Sequence, residues 1–293
     1  MEEFSRLGAR AGDRSARVDI SGVAVELEGL PSDLSEWMPE SYAPYLSAPT
    51  GLDNPLRIEV LRAPIDYFLP PGFEKGREVY RMLTALEGGV FRSVTYRLAS
   101  WFDIGRRRGQ IALGRGDLDP AGRAFENFLR SAVAWIALDQ GGFLLHSASI
   151  VRSDRCFLFY GPSGAGKSTL VPMSTEGQVI SDDLTLVLRR RDGLVAVGGP
   201  FRGTYGQGQP IAGTFRVAGF YRLRKDERTS VRPDDGGCFA DLIGNLPFVV
   251  DQLPRQPQIM DRVRSLVSET PLRYLHFSRD EDFWPAIDAG PSR

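Results

Sequence analysis

Cysteine and histidine are scarce in this 293-residue chain: Cys156 and Cys238, His146 and His276 are the full set. Two thiols, one of them inside an apolar run, argue against a disulfide framework or a thiolate metal site and suit a reducing compartment. Two histidines are too few for a histidine-based zinc site. No apolar run approaches the roughly 20 residues that a membrane-spanning helix needs. The opening stretch, MEEFSRLGARAGDRSAR, is charged and lacks an apolar segment, so it reads as a polar, mobile lead-in over residues 1–17 rather than a secretory signal. Charge of either sign is also missing in excess. Lys and Arg number 36 against 37 Asp and Glu, a net charge of −1, so no global basic field recruits nucleic acid. The expected location is the cytoplasm, with neither a membrane nor nucleic acid as partner.

What is present is ordinary globular material, 42% apolar and 25% charged, and the length suggests two domains. Residues 18–28 alternate, with Val23, Val25 and Leu27 on one face, and read as one strand. A short helix is expected within residues 30–48 and strands at 56–61 and 90–98. Residues 109–113 pair back on Trp101-Phe102 through the turn 105–109. Arg106, Arg107 and Arg108 in that turn read as a solvated hairpin tip, because no aromatic platform flanks them. Residues 18–116 thus form a small, mainly β N-terminal domain.

Asp119-Pro120 is a helix start, Phe125, Phe128, Leu129, Ala132, Val133 and Ile136 follow at helical spacing, and Gly141-Gly142 stops the helix. It is expected to pack on the sheet that follows. Strands at 143–151 and 155–160 flank the turn Ser153-Asp154, and strands at 179–181, 184–188, 193–199, 215–223 and 271–277 come later. Helices are expected near 238–245, 258–267 and 280–287. The fold class is therefore α/β, of mixed α+β kind, with a second domain over residues 117–293.

The chemistry centres on residues 156–170, CFLFYGPSGAGKSTL. Gly161, Pro162, Ser163, Gly164, Ala165, Gly166, Lys167 and Ser168 fit G-x-x-x-x-G-K-[ST] at every fixed position, and Thr169 follows in the helix. Small residues let the backbone wrap a phosphate with its N–H groups inward, and the helix start adds positive potential. Lys167 reaches the β- and γ-phosphates, and Ser168 offers a hydroxyl to Mg2+. Asp182 and Asp183 follow Lys167 closely. One can serve the metal, with Ser168, and the other can take a proton from an attacking hydroxyl; a solvated turn is the plain alternative. His146, on the preceding hairpin, either orients an aspartate, contacts the phosphate or is a core histidine, and spacing alone favours the core.

The combination of His146, the phosphate loop and the early aspartate pair resembles the C-terminal domain of HPr kinase/phosphorylase. That family belongs with the phosphoenolpyruvate-carboxykinase-like P-loop proteins. Residues 144–170 with VISDDLTLV, then GPFRGTYG and YLHFSRDEDFWPAID, look like the HPr-kinase-like proteins of bacterial genomes and peptide-biosynthesis clusters; the resemblance covers about residues 120–290. It implies a P-loop kinase domain with a mixed sheet, ATP rather than GTP on the loop, and Mg2+ at Ser168 and Asp182. It further implies Asp183 or Asp182 as base, His146 in the site, and oligomers. Arg202, in the glycine-rich stretch 199–213, is the expected cationic partner of the transferring phosphoryl group, with a salt bridge elsewhere an equal alternative. The N-terminal module differs from the family's own, so HPr itself is not the expected acceptor. Three functions compete: a kinase acting on a serine of a peptide or small protein, a nucleotide-binding regulatory module without catalysis, and a small-molecule kinase. The aspartate pair favours transfer, since a mere binder needs no base.

Overall fold

The computed structural model of the chain describes residues 8–47, 54–69, 82–115, 122–174, 176–201, 203, 211–255 and 257–291. It is a mixed α/β protein in two compact units, residues 1–136 and 137–293. The division falls inside a helix, whereas the sequence reading starts the second domain at residue 117. Among the described residues, no helix is long and apolar enough to cross a membrane.

The first unit opens with β1 (Ala9–Arg10) and β2 (Arg14–Ile20), so part of the expected mobile lead-in is strand. Arg17 shows why. Its guanidinium is buried between Asp19 at 2.9 Å and Glu26 at 3.0 Å, and it ties β2 to the next strand. The single strand expected over 18–28 is a hairpin, because Ser21 and Gly22 both take positive φ, 57° and 91°, and turn the chain into β3 (Val23–Leu30). Next come α1 (Ser32–Tyr42), a 3-10 turn at Ala43–Tyr45, and β4 (Leu56–Arg62). Strand β5 (Leu83–Glu87) pairs with β6 (Val90–Val94). The run expected as one strand over 90–98 also breaks. Thr95 donates its amide to the Leu98 carbonyl at 2.7 Å, closing a turn into β7 (Leu98–Asp103), and β8 (Arg108–Leu113) follows. The expected pairing holds, with Trp101 opposite Gln110 and Phe102 opposite Gly109. Arg106 lies by Asp103, but Arg107 is buried with φ of 52°, so the arginine turn is not wholly a solvated tip.

These strands form one sheet in the order β2-β3-β4-β8-β7-β6-β5, with β1 on β4. Helix α2 (Arg123–Asp139) supplies its cover. The expected cap at Asp119-Pro120 lies outside the described residues, but the predicted apolar positions from Phe125 to Ile136 are all buried. Phe128 meets Phe102 edge-on, Trp135 meets Phe91, and Phe125 meets Trp37 of α1. The aromatic face of α2 therefore serves the sheet that precedes it, against the expectation from sequence.

The second unit continues with β9 (Gly142–Arg152), β10 (Arg155–Tyr160), α3 (Lys167–Met173), β11 (Gln178–Ser181) and β12 (Leu184–Arg190). Then come β13 (Gly193–Gly198), β14 (Gly213–Lys225), β15 (Ser230–Pro233) and α4 (Gly237–Gly244). A 3-10 turn at Val250–Arg255, α5 (Gln258–Val267), β16 (Leu272–Phe277) and α6 (Trp284–Ala289) complete it. Strand β15 and the 3-10 turn have no counterpart in the sequence reading. Strands β10, β9, β12, β13 and β14 pair in sequence, and β14 pairs back in parallel with β10, closing a five-stranded barrel. Strand β16 extends β14 in parallel and carries β15.

On one face of this sheet lies an apolar layer. Ala148 and Ile150 of β9, Phe157 and Phe159 of β10, and Tyr221 and Leu223 of β14 pack with Leu170 and Val171 of α3 and Trp284 of α6. On the other face of β9, Ser147, Ser149 and Thr185 of β12 form a buried hydroxyl cluster, with Ser149 and Thr185 at 2.5 Å. Both cysteines are buried, and burial pushes the Cys238 thiol up to about 12, so neither is a reactive thiolate. Phe159, fully buried and ringed by Tyr221, Phe283 and Trp284, is the natural test of the layer. Phe159→Ala is expected to lower stability by about 3–5 kcal/mol in urea unfolding.

Candidate phosphate-binding site

The site grows out of β9. One edge of this strand pairs with β10, so that Tyr160 lies opposite Ser147. The other edge carries two partners in succession: β11 alongside Ser149, Ile150 and Val151, then β12 from His146 back to Gly142. The chain bulges between them at Asp182 and Asp183, and the Ser147 amide donates to the Asp183 carbonyl at 2.9 Å across the bulge. One strand thus holds the start of the phosphate loop on one side and the aspartate pair on the other.

Alternation along β9 decides where His146 points. It shares a face with Ala148 and Ile150, the face that α3 covers, but sits at the end where the layer opens to solvent. Its Nε2 is 3.4 Å from Asp183 Oδ1, and the ring is half-exposed. The core-histidine alternative is not what the structure shows.

The loop between β10 and α3 is built on glycine at its tight points. Gly166 has φ of 111°, and a Cβ there would lie 2.4 Å from the Phe277 ring. Gly161 has φ of 156°, and a Cβ would meet that of Ala165 at 2.8 Å. Lys167, on the first turn of α3, is nearly buried and donates from Nζ to the Gly161 carbonyl at 2.7 Å, bracing the loop across its mouth. Burial lowers its pKa from 10.5; Asp183 opposes the shift and Arg222 adds to it.

A cleft of about 410 Å³ opens over the loop. Ser163 to Thr169 form its floor, with His146, Asp182 and Asp183 on one wall. Gly203, in the glycine-rich stretch 199–213 that the sequence marks as the kind of loop that walls an active site, also lines it, as does Lys225, which the sequence does not single out. The Gly203 amide donates to Asp182 Oδ1 at 2.8 Å, and a Cβ at Gly203 would press to 2.7 Å from the other Asp182 oxygen. Lys225 was legible in principle, as the polar end of the alternation Tyr221, Leu223, Lys225. Arg202 lies outside the described residues. Pro162 is exposed where Gly161 is buried, and its carbonyl accepts the Ala165 amide at 3.0 Å.

Of the predicted site residues, the structure brings together His146, Ser163 to Thr169, Asp182 and Asp183 around one cleft, with Gly161 bonded to Lys167 beside it. The arrangement offers a glycine-rich loop and an ammonium for an anion, with a carboxylate and an imidazole in contact in the same cleft. Ser168, Asp182 and Asp183 present only oxygen donors, the set that suits Mg2+. Among the described residues no group of three or more His, Cys, Asp or Glu could hold a metal by itself. That is compatible with a Mg2+ that binds through one or two carboxylates and substrate phosphates.

No protein-family model matches the chain, and no curated protein matches it either.

Because the folded pKa of Lys167 lies below its unfolded value, the folded chain holds fewer protons between the two, and this group's contribution to stability rises with pH across that window. At neutral pH the buried ammonium is a cost to the empty protein. Lys167→Met is expected to leave the apo melting temperature at pH 7 equal or higher in calorimetry. A fall of several degrees would show instead that the bond to Gly161 outweighs the burial cost.

Proposed function

We propose that this protein is an ATP- and Mg2+-dependent phosphotransferase acting on a hydroxyl, with a serine of a peptide or small protein as acceptor. The observation that carries the proposal is the position of Asp183: in one cleft with the phosphate loop, 3.4 Å from His146, and close enough to Lys167 to interact with its charge. A carboxylate held there by an imidazole suits a general base and has no use in a simple phosphate binder. The resemblance to HPr-kinase-like proteins supports the same reading, with the second unit as a P-loop kinase domain of the phosphoenolpyruvate-carboxykinase-like kind. Cytoplasmic location and assembly into homo-oligomers belong to that reading too.

In this mechanism the loop amides and Lys167 hold the β- and γ-phosphates of ATP. The acceptor oxygen attacks the γ-phosphorus, the bond from that phosphorus to the β,γ-bridging oxygen breaks, and ADP leaves with the bond's electrons. The acceptor proton passes to Asp183. His146 keeps the Asp183 carboxylate oriented, and Gly203 does the same for Asp182 through its amide. Ser168 and Asp182 are the groups that would hold Mg2+, which neutralises charge on the phosphates.

The test is label transfer from γ-labelled ATP to peptides encoded near the gene, comparing wild type, Asp183→Asn and Lys167→Ala. Asp183→Asn is expected to retain nucleotide binding and lose about 10²- to 10⁴-fold in transfer rate. Lys167→Ala is expected to lose both. Nucleotide binding with neither transfer nor hydrolysis for any acceptor would replace the kinase by a binding module.

A further inference from the structure

We infer that Lys225 is the residue that makes this site select a nucleoside triphosphate over a diphosphate, by meeting the terminal phosphate from the side opposite Lys167. The inference rests on the nucleotide reading above and adds a residue that neither the motif nor the resemblance supplies.

Three observations place Lys225. First, it is the last residue of β14, the strand that runs parallel to β10, with Tyr160 level with Arg222. The two strands therefore end at the same side of the sheet, and Lys225 lies beside the segment in which β10 gives way to the phosphate loop. Second, β-strand alternation puts Lys225 on the face of Tyr221 and Leu223, which lie in the apolar layer with Leu170 and Val171 of α3. The side chain is thus the polar continuation of the layer that α3 and its loop cap, and it reaches the cleft that Ser163 to Thr169 floor. Third, its partner in β16 is Phe277, whose ring lies against Gly166. The backbone that carries Lys225 is consequently set in register with the loop's most crowded point.

Among the described residues, Lys167 and Lys225 are the cations that line this cleft. Lys167 stands on the loop and donates to the Gly161 carbonyl, and Arg222, on the other face of β14, donates to Asp241 at 2.6 Å. Lys225 is exposed and lines the cleft with Asp182 and Asp183, whose negative charge must be offset where a polyphosphate enters. A compact ammonium on a long flexible stem suits a terminal phosphoryl group that changes position and charge as it transfers. A diphosphate held by the loop ends short of it, which is the basis of the discrimination.

The experiment measures binding of Mg2+-ADP and of the β,γ-imido analogue of ATP by calorimetry, for wild type, Lys225→Ala, Lys225→Met and Lys225→Arg. Because the side chain is exposed, all three variants are expected to melt with wild type. Wild type is expected to favour the triphosphate. Lys225→Ala and Lys225→Met should weaken the triphosphate by about tenfold, the loss of one charge-assisted contact, and leave ADP unchanged. Lys225→Arg should restore most of the preference. If wild type binds neither nucleotide, the nucleotide reading fails and this inference with it. If wild type binds both and the Lys225 variants weaken both equally, or neither, the nucleotide reading stands and the triphosphate assignment to Lys225 is overturned.

Discussion

The site depends on a single strand being hydrogen-bonded along both edges. Strand β9 is 11 residues long, and its edges are used differently. One is filled by β10 in unbroken antiparallel register. The other is shared by β11 and β12, and the place where one partner stops and the next begins is where Asp182 and Asp183 leave the ladder. A sheet that must satisfy every buried amide and carbonyl tolerates such a break only if something bridges it. The Ser147 amide does so by bonding to Asp183, and the Ser181 hydroxyl helps by donating to the Leu184 carbonyl at 2.9 Å. The aspartate pair is thus fixed by the same ladder that delivers Tyr160, and then the loop, to its opposite side.

Packing explains why that ladder stays put. The layer between the sheet and helices α3 and α6 is rich in rings: Phe157, Phe159, Tyr221, Phe283 and Trp284 contact one another at centroid distances from 4.8 to 6.4 Å. Arg152 closes its outer end, with its guanidinium 4.1 Å over the Trp284 ring and bonded to Glu176 and Asp288. Helix α3 has only seven residues and carries Pro172, so it has little stability of its own and depends on burying Leu170 and Val171 in this layer. The phosphate loop is therefore held between a strand that cannot shift and a helix that exists because of the layer beneath it.

How much of this is readable in the sequence varies with the kind of signal. The loop, the short helix after it, and the aspartate pair are fixed by local chemistry, and the structure places them where the spacing says. The runs 18–28 and 90–98 each read as one strand for a common reason. Ser21-Gly22 and the Thr95 turn interrupt alternation so briefly that an apolar face seems to run through them. The side of α2 that packs could be read, but not the sheet it packs on, because periodicity names a face and not its partner. Alternation marks Lys225 as the polar end of a strand, but that it shares a cleft with the loop depends on the parallel pairing of β14 with β10, and Gly203 meets Asp182 from 21 residues away, contacts that no local window contains. Spacing favours a core role for His146, whereas the register of β9 places it at the open end of the layer, half-exposed beside Asp183.

The buried hydroxyls of Ser147, Ser149 and Thr185 bear on this register in another way. They satisfy one another only in the observed alignment of β9 with β12, on the face away from His146. A slip of β12 by one residue would turn Leu184 or Leu186 toward that seam and strand two or three hydroxyls in an apolar interior without partners. The seam therefore acts as a key that fits one alignment alone, so errors in strand pairing during folding are discouraged at the place where misalignment would also carry the aspartates away from the loop.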